Sequence, residues 1–462
     1  VTNPSSQAVD DPRVHQESPN FPLIFLESQS VGAPLMVLAA TVILLLFSTG
    51  FTWMTPHVPD AGAFYSYIDR GLGRRPGLGA AAVAVLSYLL LTVSMTCYLG
   101  VQTSSLIELW TGITLPWWLV SAIMLSIVGL LGFRQIDLSA KVLGVVLILE
   151  VIAVLAIDIG VLVSGRELAA APFSVTEAMS GAPGLGLLFA FLGFFGFEAT
   201  AVFRSEARDP LRTVPRATYI AVTSIGVLYL VSSWLIISGL GSENAVAVSA
   251  ENPDSVIVTL AGEVVAPIMA DIVQILVVSS MFACMLAFHN IVTRYLFTLG
   301  QRRVLPEGLG RVHPHHQAPS AASAWVSGLS SAIVVISALA QLDPVTQIYA
   351  WYSGAGAVGV ILMMVLTSLA VIVFGSTRHG GRAAAEDVEV TGSGRTGPST
   401  VVLVTSALGG LGLLGVLSIS IWNFPLLVGG TAIAVICGIV LTLVFLAGLL
   451  VPDRSWKVGS AN

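Results

Sequence analysis

The chain has 462 residues, of which 55% are apolar and only 10% charged, with a formal charge of −6 and a mean hydropathy of +0.89. A soluble domain carries about 25% charged residues, so a water-soluble enzyme, a nucleic-acid binder and a disordered scaffold are all set aside. What remains is an all-α polytopic membrane protein whose outer surface faces a lipid bilayer.

Residues 1–32 form a polar N-terminal segment. Val1 to Asn20 contain Pro4, Pro12 and Pro19 and lack the basic region and apolar core of a signal peptide. Eleven apolar stretches follow, at 33–53, 80–103, 117–133, 142–163, 184–203, 217–240, 265–296, 322–341, 346–374, 400–421 and 427–450. Each is close to the roughly 20 residues that cross a hydrocarbon core of about 30 Å. A backbone in lipid must satisfy its own hydrogen bonds, which predicts helices here. The alternating ten-residue strands of a membrane barrel are not visible. Residues 33–450 thus make one transmembrane domain, interrupted by a glycine-rich loop at 376–399 that reads as a flexible linker, and 451–462 make a tail.

Basic residues fix the expected orientation. Of the 20 Lys and Arg residues, 18 fall in alternate loops and the tail, beginning with Arg70, Arg74 and Arg75 and ending with Arg454 and Lys457; only Arg13 and Arg166 fall on the other side. The loop 241–264 on that other side is acidic, with Glu243, Glu251, Asp254 and Glu263. The partition predicts a cytoplasmic C-terminus, residues 1–32 outside, and a place in the cytoplasmic membrane. Cys97, Cys284 and Cys437 lie within apolar stretches, which offers neither a disulfide framework nor metal-ligand spacing.

Three motifs go beyond hydrophobicity. The first runs from Val58-Pro59-Asp60-Ala61-Gly62 through Tyr65 and Tyr67 to Gly73. The second is Phe194-Phe195-Gly196-Phe197-Glu198-Ala199 with Ser205-Glu206-Ala207-Arg208-Asp209-Pro210 and Val214-Pro215-Arg216-Ala217 behind it. The third is Ala287-Phe288-His289-Asn290 through Arg294-Tyr295 to Leu305-Pro306. In this order and on this side of the membrane, they resemble the amino acid permeases of the amino acid–polyamine–organocation superfamily over residues from about 22 to 450. The resemblance implies a leucine-transporter-like inverted-repeat (5+5) fold plus two extra helices, and a secondary transporter that moves amino acids or related amines by alternating access. Such a protein is not an enzyme and is expected to need no cofactor.

That family has twelve helices, and the stretch resembling its second begins near Ala33. Only Phe21 to Leu26 resembles the tail of the first helix. We expect the coding sequence to extend upstream of Val1 into a further apolar helix with a small-residue break, which an in-frame reading of the upstream sequence tests. The alternative is an eleven-helix paralogue without transport activity, a receptor or scaffold, or a truncated inactive chain.

Gly184, Gly186, Gly193 and Gly196 crowd one span, where glycine serves helix packing or a break. Gly193 and Gly196 stand among Phe194, Phe195 and Phe197, at the depth where the resemblance implies an unwound helix and a substrate site at the midplane. Free carbonyls there suit an ammonium group, and the phenylalanines supply an apolar wall or a cation-facing ring. A small amine-bearing substrate, neutral or cationic, fits better than a polyanion, since no basic residue lies in a span core.

Glu150 lies nine residues beyond Lys141, so about 13 Å along a helix and near the middle of the hydrocarbon layer. A carboxyl there persists only if neutral or partnered, which makes Glu150 the candidate for proton coupling; a hydrogen-bonded structural acid is the plainer reading. Asp158, eight residues on, is expected to be an interfacial carboxylate. Glu198 is read as structural or gating, through backbone amides or an arginine, and His289 as a hydrogen-bonded core or gating residue. Ser279 and Ser280 suggest half of a sodium site, a weaker idea than protons. His313-Pro314-His315-His316 has no regular ligand spacing, and no metal is expected. A membrane-embedded transferase would need a framed acidic pair, whereas Glu386-Asp387-Glu389 sits in the linker.

Overall fold

The computed structural model describes residues 21–58, 63–134, 140–198, 210–251, 256–313, 318–379 and 399–451. Among them the chain is helical, without strands. A short helix α1 (Phe21–Ser28) precedes α2 (Ala33–Met54), the short amphipathic α3 (Ala63–Leu72), α4 (Arg74–Thr111), α5 (Trp117–Arg134) and α6 (Ala140–Val163). A single turn α7 (Val175–Ala178) leads to α8 (Pro183–Leu192) and then α9 (Pro210–Leu240). Two short helices, α10 (Ala245–Glu251) and α11 (Val256–Val264), cap one end before α12 (Pro267–Gln301) and α13 (Ser320–Leu339). A π-helical turn, Pro344–Tyr349, opens α14 (Ala350–His379), and α15 (Thr400–Leu427) and α16 (Thr431–Leu449) close the bundle.

Among the described residues, ten helices are long and apolar enough to cross a membrane. The expected span 184–203 is the exception: its helix stops at Leu192, residues 193–198 are turns, and 199–209 lie outside the described residues. Gly196 keeps the helix from resuming, because its φ of +109° is closed to an α-helix. Several other bounds move outward. The helix expected over 80–103 runs from Arg74 to Thr111, and its 38 residues span about 57 Å at 1.5 Å per residue, well beyond the hydrocarbon core.

Helix α4 is the axis of the bundle: 78% of its most apolar stretch is buried inside the protein, against 6% for α16 at the periphery. It packs on α3, α5, α12, α14 and α16. Small residues let these backbones close in. Gly356 of α14 approaches Ser87 and Leu91 of α4 so nearly that a Cβ would fall 2.8–2.9 Å from their atoms. Several buried hydroxyls are satisfied within their own helices, as in Thr41 to Val37 O, Ser48 to Leu44 O, Thr92 to Tyr88 O and Thr96 to Thr92 O, at 2.6–2.7 Å. Helix α6 shows the lipid pattern plainly. Leu147, Ile148, Ile152, Leu155, Ile159 and Leu162 are exposed, while Ala153, Ile157, Asp158 and Val161 are buried against protein.

Candidate functional site

The interruption begins where α8 gives up its four-residue hydrogen bonds. The Gly193 amide still donates to Phe189 O at 3.2 Å, but the Phe194 amide turns to Phe191 O, that of Phe195 to Leu192 O and that of Phe197 to Phe194 O. These three-residue bonds tighten the chain until Gly196 reverses it. Phe194 and Phe197 are buried and Phe195 and Gly196 half-buried. Phe197 meets Phe47 and Phe51 of α2 edge-on, at centroid distances of 6.2 and 6.4 Å. Phe194 lies 6.1 Å from the ring of Tyr229 on α9.

Glu198 closes the turn. Its Oε2 accepts the Gly196 amide at 2.9 Å, and its Oε1 accepts the hydroxyl of Tyr88 on α4. The side chain therefore ties the break to the central helix of the bundle; Arg204 and Arg208 lie outside the described residues. Beyond Tyr88 a row of rings continues toward the arginine-rich end. Tyr88 stands 6.0 Å from Tyr295, which stands 5.5 Å from Tyr65 of α3. Arg302, at the end of α12, lies 5.2 Å above the Tyr65 ring and pairs with Asp69 at 3.4 Å. An aromatic column thus runs from the break to a partly buried ion pair.

Glu150 sits in a second junction, between α6, α9 and α12. Its Oε2 accepts the Ser280 hydroxyl at 3.2 Å, so the serine considered for sodium faces the carboxyl. Ser279 donates to Leu276 O of its own helix. Tyr229 of α9 stands beside the break. The same ring occupies the space beside Gly193, where an added Cβ would come 2.6 Å from its Cε2.

Two other expectations meet the structure differently. Asp158 is not solvated: it is 3% exposed and accepts the Ser232 hydroxyl of α9 at 2.7 Å, because the lipid face of α6 turns it inward. His289 is fully buried and joins α12 to α13 through Ser327 Oγ, 3.0 Å from its Nε2, beside Gly132 of α5. Its polar contacts are on the α13 side, not at the break. Among the described residues no three His, Cys, Asp or Glu side chains are placed to hold a metal ion; His315, His316 and Glu386-Asp387-Glu389 lie outside them. Sequence reasoning passed over Tyr88 and Tyr229. The available signal was a phenol at membrane depth, which needs a polar neighbour.

The amino acid permease family profile matches residues 19–446. The branched-chain amino acid permease BcaP of Bacillus subtilis is 27% identical over 183 residues, 40% of this chain and 36% of that protein. BcaP of Lactococcus lactis is 22% identical over 301 residues, 61% and 63% of the two chains. The low-affinity putrescine importer PlaP of Escherichia coli is 18% identical over 292 residues, 61% and 62%. The matched stretches thus span less than two thirds of these relatives. The profile, by contrast, takes in nearly every helix from α1 to α16, the interrupted α8 and the mid-span glutamate among them, and on that breadth the chain belongs to the amino acid permease family.

Proposed function

We propose that the protein is a permease of the cytoplasmic membrane that carries an amino acid or a related amine by alternating access, coupled to protons through Glu150. The observation that carries this reading is the helix interrupted between Leu192 and Glu198 inside an apolar bundle. Such an interruption leaves backbone groups unpaired by the helix, and these are costly in hydrocarbon unless they serve a polar substrate. The names of relatives suggest the substrate class: branched-chain amino acids for BcaP, a diamine for PlaP. All share an ammonium group, which carbonyls and the rings of Phe194, Phe195 and Phe197 suit. Glu198 with Tyr88 serves as a latch that holds the break in the state seen here. The basic loops support a cytoplasmic side for the C-terminus and the Arg302–Asp69 pair.

Uptake by proteoliposomes holding the full chain tests the reading. Counterflow of radiolabelled neutral and cationic amino acids and diamines, without any gradient, is expected for at least one of them; no counterflow across the panel overturns the proposal. With that substrate, Glu150→Gln preserves the carboxyl's shape but not its proton. It should exchange substrate and fail to accumulate it under an imposed pH gradient. Wild-type accumulation by Glu150→Gln would remove Glu150 from the coupling path, and a requirement for sodium would return attention to Ser279 and Ser280.

A further inference from the structure

Asp158 is a buried acid to which the transport cycle described above gives no role. It is 3% exposed, and its Oδ2 accepts the Ser232 hydroxyl of α9 at 2.7 Å. Its other oxygen, Oδ1, is buried and has no hydrogen-bond partner among the described residues. We propose that Asp158 is a proton-binding site whose occupancy holds α6 closed against α9 and α11, and that it empties when this junction opens to water. The inference rests on the reading of the protein as an alternating-access transporter, and it does not need Glu150 to be the coupling group.

A set of close contacts roofs the acid. Asp158 stands five residues before the end of α6 at Val163, about 7.5 Å along the axis. Within that interval Gly160 lies so near α11 that an added Cβ would come 2.7 Å from Val264 O. Val161 closes on Gly239 of α9, where an added Cβ would come 2.9 Å from the Val161 Cγ2. Just beyond the helix, Arg166 pairs with Glu263 of α11 at 2.9 Å and donates to Gly239 O. The three helices are thus fastened together between Asp158 and the end of the bundle that α10 and α11 cap. Leu155 and Ile159 turn the other side of α6 to lipid, so the short way for water to Oδ1 runs through these contacts.

Enclosed in this way, a carboxylate with one donor and one bare oxygen is costly. A neutral acid is not: it gives its hydrogen to Ser232 Oγ across the same 2.7 Å contact and leaves Oδ1 as a carbonyl with a spare lone pair. The closed junction therefore keeps the proton, and a junction opened to water releases it to that water; only an O–H bond is broken and remade. Titratable groups on the surrounding elements do not alter this balance. On α6, Glu150 lies eight residues away and bonds to Ser280, and on α11 Glu263 is engaged by Arg166. In this half of the bundle α9 brings Tyr229, three residues before Ser232, and α12 brings Asp271 and Cys284. Burial and the Ser232 bond act on Asp158, with no charged neighbour adding to them.

Infrared difference spectroscopy of the full chain in lipid nanodiscs, titrated with pH, reads the carbonyl band of a protonated carboxylic acid and needs no substrate. Wild type should show such a band lost reversibly as pH rises. Asp158→Asn keeps a partner for Ser232 but cannot ionise; it should lack this component, and Glu150→Gln should retain it. No component missing from Asp158→Asn, or one that persists at every pH at which the protein stays folded, overturns the proposal. Should Asp158→Asn fail to give a monodisperse protein, Ser232→Ala keeps the carboxyl and removes its partner. It should move the pH at which the band is lost, and an unmoved titration counts equally against the role. Counterflow with equal pH on both sides reads the consequence. Wild-type exchange should slow as pH falls, by up to about tenfold per unit, because one proton must leave for each opening. Asp158→Asn should be flat over that range and still accumulate substrate under a pH gradient; a wild-type pH profile in this variant overturns the closing role. Absence of counterflow in wild type would instead overturn the transport reading, with the infrared result left to stand by itself.

Discussion

Gly193 and Gly196 exclude side chains for different reasons, and the difference can be measured. At Gly193 the obstacle is the Tyr229 ring. At Gly196 no atom lies within 4 Å of an added Cβ, and the obstacle is the backbone, held at φ +109°. A side chain there costs about 1–3 kcal/mol of strain with nothing to repack. Gly196→Ala should therefore lower the melting temperature in detergent and slow uptake, and no second-site substitution nearby should relieve it. Restoration by trimming a neighbour would show that crowding, not φ, governs this position. The two glycines were legible in the sequence as candidates for a break because phenylalanines surround them. Which one collides with a neighbour was not legible, since Tyr229 is 36 residues away from Gly193. Glu198 was half legible: its reach to a backbone amide follows from two-residue spacing to Gly196, whereas Tyr88 is 110 residues distant.

Helix α8 is fastened at its start and gives way to turns at its end. At its start the Gly184 amide donates to Asn423 Oδ1 at 3.2 Å, Ser420 Oγ donates to Gly184 O at 3.1 Å, and the Ala182 amide donates to Ser28 O at 2.8 Å. The first amides of a helix have no partner of their own, and here α15 and the end of α1 supply them. Ten residues later the helix dissolves into turns. Asn423→Leu leaves the Gly184 amide unsatisfied, which should cost about 1–3 kcal/mol. Thermal unfolding in detergent reads the loss, and a melting temperature equal to wild type would show that the α15 contact does not anchor α8. In the sequence α15 reads as one more apolar span. The Ser420 and Asn423 pair, three residues apart on one helix face, marks a polar stripe, but its partner lies 236 to 239 residues upstream. Local pattern alone cannot supply such a pairing, although it does supply the helix.

At the scale of the molecule, the bilayer makes helices legible and leaves their neighbours to be found. Asp158 illustrates both halves. Its depth on α6 was readable from spacing, but its direction depended on which side of α6 meets lipid, and that is decided by α9, α11 and α12 packing on the other. The short helix α1, which is not among the membrane-spanning helices, is similar: it packs on α8 and α10 and carries Glu27 into that contact half-buried. Burial pushes the Glu27 carboxyl up from 4.5 to about 7. A raised carboxyl pKa means that the folded protein holds the proton more tightly than the unfolded chain does. Its contribution is therefore neutral at low pH and becomes destabilising as pH rises from about 4.5 through 7. At about 1.4 kcal/mol per unit, the full effect is no more than about 3.5 kcal/mol, reached above neutrality. Glu27→Gln removes the titration but keeps the size. The variant should match wild type in thermal stability near pH 5 and exceed it increasingly up to pH 8, as α1 then stays seated on α8. A difference between the two proteins that does not change with pH would show that Glu27 is solvated and that α1 does not hold α8 through a buried acid.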